Sequence, residues 1–121
     1  MNDLGYLTKG FFRLEYYFSD QTETVTITSK NYGDHKFGIR PDDSSSELYI
    51  VPDHFVPFAK ISPGLTGGTD TVSFKSKYDG KYMKNENGKI NLRRLEENSD
   101  YALAATFKIH PNKFFDVSSG R

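Results

Sequence analysis

One alternating segment occurs twice in this chain, and that recurrence constrains the fold more than any single motif. Thr71-Val72-Ser73-Phe74-Lys75-Ser76-Lys77 alternates small polar and apolar residues, the pattern of a half-buried strand. Thr24-Val25-Thr26-Ile27-Thr28-Ser29-Lys30 has the same pattern, and Ser29 to Ser76 is an offset of 47 residues. Lys60-Ile61-Ser62-Pro63 then matches Lys108-Ile109-His110-Pro111 at an offset of 48. Two matches at nearly one spacing point to an internal repeat of β-structure. Repeat one covers 24–70 and repeat two 71–115, which leaves 1–23 as an abbreviated N-terminal lobe or arm and 116–121 as a loose tail.

Helical periodicity is scarce. Residues 96–105 fit one short helical turn, whereas elsewhere short alternating runs are broken by turn residues, as in an all-β sandwich or barrel. Asn87-Gly88, between Lys81-Tyr82-Met83-Lys84 and Lys89-Ile90-Asn91-Leu92, suits a two-residue turn that needs positive φ and predicts a hairpin. Asp79-Gly80 gives a second tight turn just before it. Pro63-Gly64 and Gly67-Gly68 mark the junction between the repeats, a short connection within one domain. Strands are also predicted over 11–18 and 47–51, with a polar loop at 42–46.

At 121 residues the chain is long enough for one domain with a single core. Lys+Arg and Asp+Glu are both 16, and this balance argues against a general binder of nucleic acid or anionic membrane. With no cysteine, disulfides, thiolate zinc sites and cysteine nucleophiles are excluded. The N-terminal residues Met1-Asn2-Asp3-Leu4-Gly5 carry no basic stretch followed by an apolar run, so no signal or membrane helix is visible. Localisation stays open, and is extracellular if the chain is a trimmed module of a secreted protein. Ten Phe and eight Tyr with no Trp are chiefly core-filling residues, although exposed ones can stack on sugars or partners.

Few motifs carry chemistry. His35, His54 and His110 are isolated, and Asp34-His35 or Asp53-His54 would point to opposite faces of a strand, against a metal site. Asp42-Asp43 before three serines lacks a nucleophile elbow or ordered base, and reads as a solvated turn. Gly64-Leu65-Thr66-Gly67-Gly68 lacks the lysine and following helix of a phosphate loop, and Glu96-Glu97 reads as a solvated face. No enzyme is expected and no cofactor is called for. The best polar-aromatic group is Lys75, Lys77, Lys81, Lys84, Arg93 and Arg94 with Tyr78 and Tyr82. As a sugar site, Tyr82 would stack and Asn85 would orient a hydroxyl. As a plain surface, the lysines blunt an exposed sheet and Tyr82 packs inward, and on the residues alone this second reading is the stronger.

Residues 71–111 resemble the arabinofuranose-binding module found at the C-terminus of some α-L-arabinofuranosidases, the AbfB-type domain. Its repeats run S-F-x-S, then Y-L-R-H, then F-x-x-D-A-T-F-x-V-x-P-G-L. Ser73-Phe74-Lys75-Ser76 meets the first element, and Tyr82-Met83-Lys84-Asn85 stands at the second. Tyr101-Ala102-Leu103-Ala104-Ala105-Thr106-Phe107-Lys108-Ile109-His110-Pro111 follows the third, and Ile61-Ser62-Pro63-Gly64-Leu65 is similar to the repeat ending. The His of Y-L-R-H and the Asp of D-A-T-F help form the family's sugar pockets, and Asn85 and Ala104 occupy those positions here. Asn85 can still donate and accept, but Ala104 can do neither.

The resemblance implies an all-β fold, a β-trefoil or an incomplete, degenerate one built from repeats of about 47 residues. It implies a non-catalytic carbohydrate-binding module, with arabinose-containing polysaccharide the first ligand and Tyr82, Lys84, Asn85 and Tyr78 the candidate contacts. The alternative is a protein-interaction or self-assembling module on a trefoil-like scaffold that has lost its sugar pockets. Two repeats leave 23 residues at the N-terminus, about half a third repeat. An abbreviated lobe, a truncated module or a homo-oligomer whose chains complete one another would each account for that length.

Overall fold

Ten short strands and one helix account for most of the residues that a computed structural model describes, which are 11–16, 24–29, 35–40, 46–110 and 114–116. The strands are β1 (Phe11–Tyr16), β2 (Thr24–Ser29), β3 (Lys36–Gly38), β4 (Tyr49–Val51) and β5 (Phe58–Ile61). They continue with β6 (Thr71–Ser76), β7 (Tyr82–Glu86), β8 (Lys89–Arg93), β9 (Phe107–His110) and β10 (Phe114–Asp116). Helix α1 (Ser99–Ala104) lies between β8 and β9. Tyr17, Phe18, the polar run 42–45, residues 1–10 of the N-terminal arm and 117–121 of the tail lie outside the described residues.

Every pairing between strands is antiparallel, and six strands form a nearly closed, barrel-like sheet. β2 pairs β1 (Leu14 opposite Ile27), β1 pairs β10 (Phe12 opposite Phe115), and β10 pairs β9 (Phe115 opposite Ile109). β9 pairs β6 (Phe107 opposite Val72), β6 pairs β5 (Phe74 opposite Lys60), and β5 pairs β2 (Phe58 opposite Val25), returning to the start. Two hairpins, β3–β4 and β7–β8, branch off this ring through β2 and β6. They are tied to one another by Leu48 N–H donating to the Ile90 carbonyl at 2.8 Å and Leu92 N–H to the Ser46 carbonyl at 2.9 Å. Asn87 and Gly88 take φ of 55° and 92°, the two left-handed residues that a two-residue hairpin turn requires.

The ring encloses the core. Val25, Ile27, Phe37, Phe58, Val72, Phe74, Met83, Ile90 and Phe107 are all fully buried in it. Phe74 sits between Phe58 and Phe107 with ring centroids 6.1 Å from each, edge-on to the first at 68° and tilted to the second at 41°. Such aromatic pairs add about 0.5–1.5 kcal/mol beyond the area they bury.

The polar face of the strands is also buried, which alternation alone would not predict. Thr24, Thr26, Thr28 and Ser73 are all buried. On β6 and at Thr106 the small hydroxyls let the 62–70 loop pack directly over the strands while satisfying backbone groups. Ser73 Oγ accepts from Leu65 N–H at 3.0 Å and donates to the Ala105 carbonyl at 2.7 Å. Thr71 Oγ1 accepts from Gly64 N–H at 3.0 Å and donates to the Gly68 carbonyl at 2.6 Å. Thr106 Oγ1 accepts from Thr66 N–H at 3.3 Å and donates to the Ala102 carbonyl at 2.6 Å. Gly64 is needed for this clasp, because a Cβ there would lie 2.7 Å from Thr106 Cγ2.

The registers also adjust the sequence match between the two segments. Thr24 lies opposite Ala59 and Thr71 opposite Lys108, so the closing strands correspond at an offset of 49 rather than the 48 given by KISP and KIHP. Side chains alternate faces along a strand, so a shift of one residue exchanges core and surface, and burial of Phe58 and Phe107 selects the offset of 49. Ser73→Ala should destabilise the chain by about 1–3 kcal/mol, since it strands a buried N–H and a buried carbonyl. Urea unfolding of that variant against the parent measures the loss.

Candidate functional site

A cleft of about 710 Å³ opens between the β7–β8 hairpin and α1. One wall is β7 and its turn, with Lys84, Asn85 and Glu86, and the other is α1 with Asp100, Leu103 and Ala104. Glu96 and Asn98 close one end, on the segment that leads into the helix.

The helix is only six residues long, too short to be stable by itself. Two contacts hold it. Asn98 is its N-cap, in extended geometry, with Oδ1 accepting from Tyr101 N–H at 2.7 Å. Tyr101 is buried against Tyr82 and Ala105, and its hydroxyl donates to the Arg93 carbonyl at 2.9 Å. The cleft's helical wall is therefore fixed to the strand pair through one tyrosine.

Glu86 organises the charge on the other wall. Arg93 grips it with both guanidinium donors, Nε at 3.0 Å to Oε2 and an Nη at 2.9 Å to Oε1, and Asn91 Nδ2 donates to Oε1 at 3.1 Å. Lys84 Nζ stands 3.4 Å from the other oxygen and 5.1 Å from the centre of the Tyr101 ring. These partners, the Arg93 hydrogen bonds first, hold the Glu86 carboxyl below its ordinary range, although partial burial works against them. The same hydrogen bonds raise Arg93. Burial, then the nearby Tyr82, Glu96 and Glu86, push the Tyr101 phenol up to about 12. Among the described residues, Glu96 and Asp100 form no ion pair, so both carboxylates remain available as acceptors.

The residues singled out from sequence separate into two places. Lys84 and Asn85 line the cleft, as does Ala104. Asn85 is buried, and its Oδ1 accepts from Gly88 N–H at 2.9 Å, which stabilises the hairpin turn. Tyr82 is not part of the lining; its ring packs with Tyr101 and Ala105 over Ile61 and Leu65. Tyr78 lies elsewhere, 69% exposed after β6, with its hydroxyl donating to the Phe55 carbonyl at 3.2 Å. Lys75 and Lys77 are exposed while Tyr82, opposite Lys75 in the ladder, is buried. Lys75, Lys77 and Tyr82 thus do not form one solvent face with Lys84.

Sequence reasoning missed Glu86, Glu96, Asn98, Asp100 and Tyr101. A usable signal existed for the helical ones: Asn98-Ser99-Asp100 is a capping residue followed by an acid in the first turn. The histidines stand apart from the cleft: exposed His54 lies 3.8 Å from exposed Asp53, and among the described residues no three His, Asp or Glu side chains could share a metal ion. No helix among them is long and apolar enough to cross a membrane.

Glu86 and Tyr101 give opposite pH limbs. Glu86 is depressed, so its pairing adds stability at neutral pH that disappears as pH falls through its folded pKa. Tyr101 is raised from 10.0 to about 12, so the unfolded chain loses that proton first and stability falls as pH climbs between those values. Urea midpoints measured against pH should show Glu86→Gln flattening the acid limb and Tyr101→Phe removing that tyrosine's share of the alkaline one. No protein-family model matches this chain, and no curated protein matches it.

Proposed function

We propose that this chain is a non-catalytic carbohydrate-binding module on a degenerate β-trefoil, taking an arabinose-containing polysaccharide in the β7–α1 cleft. One observation carries the ligand reading. Asn85 and Ala104, the two positions that match the sugar-pocket His and Asp of AbfB-type modules, line the same open cleft although they lie 19 residues apart in sequence. The cleft is suited to hydroxyls: Glu96 and Asp100 accept, Lys84 donates, and Asn98 caps one end. The Tyr101 ring at its base is buried, so recognition rests on hydrogen bonds rather than on ring stacking.

The trefoil reading is supported by the registers. Val25 faces Phe58 as Val72 faces Phe107, and each of these strand pairs is separated by one branching hairpin. β1 and β10 supply a third pair of staves. The state of Glu86 supports a non-catalytic role for that residue. A glycosidic acid needs a raised carboxyl pKa, and the Arg93 grip lowers that of Glu86.

The interaction-module alternative draws on a different observation, the exposure of Leu95 and Leu103 on either side of α1 at 47% and 52%. The two readings part on a titration. Arabinofuranosyl oligosaccharides added to labelled protein should shift the amides of Lys84, Asn98 and Asp100, with weak affinity because the family's carboxylate is missing. Ala104→Asp restores that carboxylate and should tighten binding about tenfold or more, from a charged hydrogen bond of about 1.5–3 kcal/mol. Silence from both proteins, together with self-association in light scattering, would overturn the sugar reading and favour assembly.

A further inference from the structure

A second concavity, about 400 Å³, lies on the other flank of α1. It is lined by Leu65, Leu95, Glu97, Ser99 and Ala102, and it shares Glu96 and Asn98 with the larger cleft. The two hollows are therefore one surface folded around the start of the helix, with Glu96 and Asn98 as the saddle between them. Each is within the size range of small-ligand sites, about 300–1,000 Å³.

The saddle is polar and held in place. Asn98 Oδ1 is committed to the Tyr101 N–H by the cap, so the cap also fixes where the Nδ2 donors point. Among the described residues Nδ2 makes no hydrogen bond, and the neighbouring Glu96 carboxylate has no cation. A fixed donor beside a free acceptor is the pairing that a sugar hydroxyl takes, since a hydroxyl donates and accepts at once. Beyond the saddle Leu65, Leu95 and Ala102 offer apolar surface beside Glu97 and Ser99, which suits a second sugar ring with its carbon face on the leucines and its hydroxyls toward the polar pair. Glu96 at the crossing, Asp100 in the larger cleft and Glu97 in the groove carry negative charge without an ion pair among the described residues, and so disfavour uronic acids.

We propose that the binding site is bipartite: a neutral pentose oligosaccharide of at least two units crosses the Glu96–Asn98 saddle, one unit in the β7–α1 cleft and the next in the Leu65–Ala102 groove. This inference rests on the carbohydrate-binding reading above and adds chain length and neutrality as its selectivity.

The test is calorimetric titration of the full chain with neutral arabinofuranosyl ligands of one, two and three units, alongside two variants. Ala102→Arg fills the second groove with a good helix former, away from the first cleft. Asn98→Asp keeps the cap, because Asp caps as well as Asn, but replaces the donor with a charge. Circular dichroism and unfolding midpoints confirm that both are folded. The expected result is at least a tenfold gain from one unit to three in the parent, lost in Ala102→Arg with the single-unit affinity retained, whereas Asn98→Asp, at a residue that lines both hollows, binds more weakly at every length. Equal affinity for all three lengths would overturn the bipartite site and leave the sugar reading standing. A length gain that survives Ala102→Arg would also overturn it. Binding to no length at all would overturn both readings together.

Discussion

Phe74 is the residue on which the rest of this structure depends. It sits on β6, which like β2 pairs with three other strands, here β5, β7 and β9. Its ring bridges Phe58 and Phe107, the buried residues of the two staves on either side. Removing such a ring from a closed core leaves a cavity the neighbours cannot fill, because tightly packed interiors relax only in part. The strand's other face is no less committed. Thr71 and Ser73 point the opposite way and clasp the 62–70 loop to the turn after α1. One strand therefore supports the barrel with its apolar side chains and the connections with its hydroxyls.

The candidate site is a by-product of how the sheet is finished at one side. The chain leaving β8 must return to the ring at β9, and it does so through a helix of six residues. That helix is held by what it buries, Tyr101, and by what caps it, Asn98. A concavity remains between helix and hairpin, and Lys84, Glu86 and Asn98, which face it, are already oriented by structural work. Lys84 and Arg93 neutralise Glu86, which leaves the acids near the helix as the groups that set the character of the cleft. Preorganised polar groups of this kind cost little to order when a ligand arrives.

Much of the architecture was legible in the residues. Asn87-Gly88 can take two positive φ values cheaply, so the hairpin followed from that dipeptide alone. Segments 24–29 and 71–76 alternate in the same way and occupy comparable positions in the sheet. Ser73 was readable as the first residue of S-F-x-S but not as a clasp. Its partners, Leu65 and Ala105, lie 8 and 32 residues away. The site was legible only in pieces. Asn85 and Ala104 could be marked by resemblance, and Lys84 by charge, whereas Tyr82 was marked as a stacking ring and is a packing one. Glu96 read as solvated surface because nothing local distinguishes a carboxylate at the end of a cleft from one on an open face.

The sequence by itself determined the class of fold, the turns and the alternation of the strands. These depend on backbone sterics and on period-two burial, both of which act over a few residues. Only the tertiary structure decided that the staves nearly close, that β1 and β10 meet, and that Lys84, Asn98 and Asp100 share one hollow. Those outcomes hang on contacts between residues far apart in the chain, and no local pattern records which distant partner wins. The same holds for the tyrosines. Tyr78 and Tyr82 are four positions apart and chemically identical, yet one is open to solvent and the other is sealed against Tyr101. Their difference is made by what packs over each, which is a property of the closed fold and not of the residue.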